Sequence, residues 1–145
     1  MSSERVYILD TNVLRAILRY KGQQPHLETR VKHTPYEHLY ISIVSVEEIL
    51  RGTLELFRNS EKRGLLVNAY AFIEDLLVDL SKFQILAFSS EAYEIYKRMS
   101  AEAKRRGRGD CSIAASAIAH DYKVVTRDEN DFRAIGVSFE NWFIS

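Results

Sequence analysis

A chain of 145 residues, 46% hydrophobic and 28% charged, suffices for one compact domain over 1–145 and leaves no room for a second. Lysine plus arginine balances aspartate plus glutamate at 20 each, so the net charge says nothing about a polyanionic partner and local charge must carry that argument. The single cysteine, Cys111, excludes an internal disulfide and a multi-cysteine zinc site, and the apolar run Val6 to Leu9 is too short for a signal-peptide core or a membrane span, so a cytoplasmic protein with no membrane partner is expected.

Val6-Tyr7-Ile8-Leu9 reads as a strand buried on both faces, and Asp10-Thr11-Asn12 supplies helix-capping residues before a helix over Val13 to Tyr20. Gly22 to Pro35 has weak periodicity and reads as loop with at most one short helix. Leu39 to Val44 is a second buried strand, and Ser45-Val46-Glu47-Glu48 has the spacing of a capping box opening a helix to about Arg58. Leu65 to Leu80 carries apolar residues at helical spacing, and Phe83 to Phe88 reads as a strand. One helix is expected from Ser90 to Lys104-Arg105-Arg106, ended by Gly107 and Gly109, and a new one from Asp110. The small residues of Ile113 to Ala119 let that helix approach its neighbours closely. Lys123 to Thr126 reads as a fourth strand, Asp128 to Ile135 as a short helix, and Val137 to Ile144 as a candidate edge strand. Strands alternating with helices predict an α/β three-layer sandwich whose central sheet is mostly parallel.

In such sheets the functional crevice lies beyond the carboxyl ends of the strands. Asp10, Glu48 and Asp128 follow predicted strands, and Asp110 opens the small-residue helix after Gly107-Arg108-Gly109, where glycines permit close approach. Each acid taken alone has an ordinary explanation, since helix capping by Asp is worth about 0.5–2 kcal/mol. Convergence of several does not, because two unit charges about 4 Å apart repel by about 4 kcal/mol at an effective dielectric near 20. Divalent cations offset that repulsion, and hard oxygen ligands suit Mg2+ or Mn2+. The chemistry expected of such a cluster is phosphodiester hydrolysis by an activated water.

The same residues resemble the motifs of the PIN domain, and within it those of the VapC-type toxins of prokaryotic toxin–antitoxin pairs. Leu9-Asp10-Thr11-Asn12 is similar to the opening motif, and Ser42-Ile43-Val44-Ser45 through Glu48-Ile49-Leu50-Arg51-Gly52 to the second. Asp110-Cys111-Ser112-Ile113-Ala114-Ala115 is similar to the third, and Val125-Thr126-Arg127-Asp128 with Asp131-Phe132 to the fourth. The resemblance implies a Mg2+- or Mn2+-dependent endoribonuclease, a homodimer, and inhibition by a cognate antitoxin that covers the active site. It also implies that Asp10, Glu48, Asp110 and Asp128 are the catalytic metal ligands, while Asn12 and Thr126 orient the carboxylates and the water. Glu48 is preferred to its neighbour Glu47 because it stands four residues before Gly52. Asp131 competes with Asp128 and is given a supporting or purely structural role. A catalytically silent PIN-fold module that binds RNA or a protein is the alternative, disfavoured because all four acidic positions are filled. A haloacid-dehalogenase-type phosphatase would carry a second aspartate where Asn12 stands.

The basic segment from Lys97 to Arg108 leads into Asp110 and offers RNA phosphates a positive rim, with Arg106 and Arg108 as its best candidates, although Glu94 and Glu102 invite ordinary helix pairing. Tyr70, Phe72, Tyr93 and Tyr96 are expected in the core or at a dimer face, and the Phe72 to Leu80 face is the candidate subunit contact. His26, His33, His38 and His120 lack metal-ligand spacing, and Cys111 reads as a small buried residue.

Overall fold

The computed structural model describes residues 4–19 and 21–144. Five strands, β1 (Tyr7–Leu9), β2 (Leu39–Ser42), β3 (Gln84–Leu86), β4 (Lys123–Val125) and β5 (Phe139–Glu140), form one sheet in the order β3-β2-β1-β4-β5, and every neighbouring pair is parallel. Parallel pairing requires crossovers. They are made by α1 (Thr11–Arg19), α2 (Pro25–His33), α3 (Ile43–Ser60), α4 (Leu66–Leu80), α5 (Ser90–Lys97), α6 (Ala101–Lys104), α7 (Arg108–His120) and α8 (Glu129–Ile135). The chain is the expected α/β three-layer sandwich.

Side chains alternate across the sheet, so each strand feeds two cores. Leu9, Ile41 and Val125 pack on one face with Val13 and Leu14 of α1, Leu27 of α2, Val46 and Ile49 of α3, and Leu76 and Leu80 of α4. Ile8 and Val124 pack on the other with Ile113, Ala114 and Ala117 of α7 and Phe132 of α8. The small residues of α7 let it contact α3, α5 and α8 while lying against β1 and β4. Cys111 is fully buried, as expected of a small residue there. At the end of β5, Glu140 gathers Arg5, Arg30 and Lys123 as ion pairs at 3.3, 3.1 and 3.6 Å and accepts a hydrogen bond from the Trp142 indole at 3.0 Å.

Several boundaries differ from expectation, each for a local reason. The Gly22 to Pro35 stretch contains α2, because Pro25 at its start is already set for helical φ, and Glu28 reaches back to the amides of Gly22 and Gln24. The Ser42 hydroxyl accepts the Val44 amide and opens α3 at Ile43, so Ser45 lies inside the first turn and forms no capping box with Glu48. The expected helix from Ser90 to Arg106 is broken, because the Ser100 side chain accepts the Ala103 amide and starts α6. Gly107, at φ +115°, precedes α7, which therefore begins at Arg108 rather than Asp110. The expected end of the first helix at Tyr20 lies outside the described residues.

Tyr70, Phe72 and Tyr93 are exposed rather than in the core, and Tyr70 packs edge-on against Phe57. The Phe72 to Leu80 face divides: Leu76 and Leu80 enter the core while Phe72, Leu77 and Val78 face outward. Among the described residues no helix is long and apolar enough to cross a membrane.

Candidate active site

From β1 the chain winds outward to β2 and β3, then returns past β1 to β4. The reversal of strand order between β1 and β4 opens a crevice at their carboxyl ends. Leu9 is registered with Val125, and the Asp10 amide donates to the Val125 carbonyl at 3.0 Å. The residues that follow the two strands are thereby neighbours.

Asp10 is 1% exposed. Its Oδ1 accepts the Val13 amide at 2.7 Å, capping α1, and its Oδ2 accepts the Thr126 hydroxyl at 2.5 Å. The Thr126 oxygen in turn accepts the Asp128 amide at 2.9 Å, and the Asn12 side chain donates to Asp128 Oδ2 at 3.1 Å. Asp10, Thr126, Asp128 and Asn12 thus form one hydrogen-bonded chain. Asp128 immediately precedes α8 but caps it with no side-chain hydrogen bond.

Glu48 lies in the second turn of α3, farther from its strand than expected, because α3 opens at Ile43. It turns inward over Gly109 of α7, and its Oε1 is buried without a hydrogen-bond partner among the described residues. Glu47 faces solvent and is held by Arg51 through bonds of 2.7 and 3.0 Å. Asp110, in the first turn of α7, is close enough to Asp10, Asp131, Asp128 and Glu48 to feel the charge of all four.

Burial raises the Asp10 carboxyl to about 6, against the lowering effect of its bonds from Thr126 and Val13. Burial, with repulsion from the four neighbouring acids, raises Asp110 to about 7. Oxygen donors, raised proton affinities and an unpartnered buried Glu48 oxygen fit a hard divalent cation. Among the described residues, however, no three His, Cys, Asp or Glu side chains are arranged to hold a metal ion as they stand.

Of the basic candidates, Arg106 is paired with Asp131 at 3.1 Å and Glu102 at 3.4 Å. Arg108 is exposed and makes no salt bridge among the described residues. Thr11 and Ser45, read from sequence as helix-capping residues, instead share a buried hydroxyl–hydroxyl bond of 2.8 Å that ties α1 to α3. The sequence signal for that pairing is their place inside the Asp10 and Glu48 motifs.

The family model of the PIN domain matches residues 7–137. VapC ribonuclease Y4jK of Sinorhizobium fredii is 30% identical over 138 residues, covering 92% of this chain and 95% of that protein. Toxin FitB of Neisseria gonorrhoeae is 30% identical over 140 residues, covering 93% and 97% respectively. The crystal structure of FitAcB from Neisseria gonorrhoeae matches with a TM-score of 0.77 at 27% identity, over 97% of this chain and 100% of that one. With its parallel sheet, the acids at the carboxyl ends of β1 and β4, and a family match that runs nearly end to end, the chain belongs to the PIN domain family.

Proposed function

We propose that this chain is an endoribonuclease that hydrolyses RNA phosphodiester bonds with Mg2+ or Mn2+, and that it is the toxin of a type II toxin–antitoxin system. The observation that carries the proposal is the gathering of Asp10, Glu48 and Asp128 around Asp110 at one crevice, where each raises the proton affinity of Asp110. Support for the activity and the toxin role comes from the relatives named a VapC ribonuclease and the toxin FitB.

Asp10, Glu48, Asp110 and Asp128 would hold the cation, with Asp131 as the rival to Asp128. When bound, it supplies positive charge for the scissile phosphate and acidity for the attacking water. Thr126 fixes the Asp10 carboxylate while leaving lone pairs on both of its oxygens, and Asn12 does the same for Asp128. Asp10 and Asp110 give up any proton they carry when the cation enters, so its affinity rises with pH. Arg108 and Arg106 stand on the rim to meet flanking RNA phosphates.

A cognate antitoxin is the partner that this reading requires, and the likeness to the toxin FitB supports it. A homodimer is part of the same proposal, with the outward-facing Phe72 of α4 as the candidate subunit contact. The proposal includes a cytoplasmic location, where the RNA substrate it requires would be met.

The deciding experiment is cleavage of a structured RNA with Mn2+ by wild type and Asp10→Asn. Cleavage that falls by at least about a hundredfold in the variant supports the enzyme. Binding of RNA without cleavage by the wild type would establish the alternative, a silent PIN-fold module. Sequencing the RNA ends after induced expression then identifies the target.

A further inference from the structure

Gly22, Gly64, Gly107 and Gly136 hold positive φ, which explains why glycine occupies those positions. Gly52 has open space where a side chain would go. Gly109 differs from all of them. It lies in the opening turn of α7 with no positive φ, where an alanine would suit the helical backbone equally well. A methyl group added to it would land on Glu48 Oε1, with Glu48 Cδ at 3.1 Å and Oε2 at 3.5 Å. No other group of the described residues ranks among the three atoms nearest to it.

We propose that Gly109 is a positioning residue for Glu48: its bare backbone is the seat on which the Glu48 carboxylate lies, and any side chain there pushes that carboxylate away from Asp110. The proposal rests on the active-site reading above, and it adds a residue that carries no functional group of its own. Two helices carry the relationship. α3 packs against α7, and Glu48 on the first meets the opening turn of the second where a Cβ is missing. The obstructed atom is the end of a flexible side chain, so an alanine displaces Glu48 without disturbing the helices. The buried Glu48 Oε1 has no hydrogen-bond partner among the described residues, so no hydrogen bond of that oxygen opposes the displacement.

The test compares wild type, Gly109→Ala, Glu48→Asp and the double variant Glu48→Asp/Gly109→Ala. Binding of Mn2+ alone is read by calorimetry, RNA cleavage is read with Mn2+ present, and folding is read by circular dichroism and Tm. Gly109→Ala is expected to keep wild-type Tm or better while Mn2+ affinity and kcat fall about tenfold or more. Glu48→Asp also loses affinity, but in the Gly109→Ala background the shorter acid makes room for the methyl group and restores affinity above that of Gly109→Ala alone. Wild-type binding and cleavage by Gly109→Ala would overturn the proposal, as would a double variant no better than Gly109→Ala. Should Gly109→Ala fail to fold, Glu48→Ala/Gly109→Ala is expected to fold, and its failure would show that atoms other than Glu48 require the glycine. Asp10→Asn separates the two levels: if it matches wild type in Mn2+ binding and cleavage, the active-site reading falls and this proposal with it. If Asp10→Asn is impaired and Gly109→Ala is not, only the role of Gly109 is lost.

Discussion

Thr126 and Asp10, which lie in the first and last quarters of the chain, meet at 2.5 Å, hydroxyl to carboxylate, at the ends of adjacent strands. The same threonine oxygen accepts the Asp128 amide, so one side chain sets the spacing of two acids. Thr126→Val keeps the shape and removes both bonds. Activity should fall about 10–100-fold, as for other groups that orient ligands, and stability by about 1–3 kcal/mol, because a buried acceptor and donor lose their partner. Thr126→Ser should retain most of both. Denaturant titration and single-turnover cleavage check the pair, and equal activity for the valine variant would deny Thr126 an orienting role.

The two raised carboxyls set the pH dependence of stability. Between the ordinary aspartate range near 4 and the folded values of about 6 for Asp10 and about 7 for Asp110, the folded chain binds protons that the unfolded chain has lost. Stability from these groups is therefore complete below pH 4 and is lost as pH rises through 6 and 7. Without added metal, Tm should fall from pH 5 to pH 8, and saturating Mn2+ should raise it at pH 8 by binding linkage. Asp10→Asn/Asp110→Asn should melt higher than wild type at pH 8 and show a flatter slope. Identical pH slopes in calorimetry for variant and wild type would contradict the grouping.

Thr11 and Ser45 form a buried pair, so their substitutions should be coupled. Ser45→Ala or Thr11→Val alone leaves one buried hydroxyl unpaired and should cost about 1–3 kcal/mol. The double variant should cost less than the sum, because neither polar group then remains. A double-mutant cycle by urea denaturation measures the coupling, and strict additivity would mean that the bond contributes nothing.

Arg108 and Arg106 should differ in RNA binding. Arg108 makes no salt bridge among the described residues, whereas Arg106 is engaged by Asp131 and Glu102. In an Asp10→Asn background that prevents cleavage, Arg108→Ala should weaken RNA binding and lower the salt slope by about 1, with a smaller change for Arg106→Ala. Filter binding across a salt series distinguishes them, and the reverse order would place the RNA nearer α8.

Local signals set much of the architecture. Val6 to Leu9 and Leu39 to Val44 read as buried strands because both faces of a parallel strand are covered, and α4 was legible because helical periodicity is local. Boundaries fared worse where two caps competed. Ser42 and Ser45 both suit a helix start, and Ser45 is drawn inward by Thr11, a residue from another helix. Ser100 likewise divides a helix whose periodicity runs on past it.

By itself, the sequence determined the alternation of strands and helices and the order in which the acids occur, since both reside in neighbouring residues. Only the tertiary structure decided that Glu48 lies on Gly109, that Asp131 is held by Arg106, and that Asp110 feels four other acids. Those relationships depend on how closely α3 packs against α7 and α6 against α8, distances fixed by side-chain volumes across the core and encoded in no single stretch of chain.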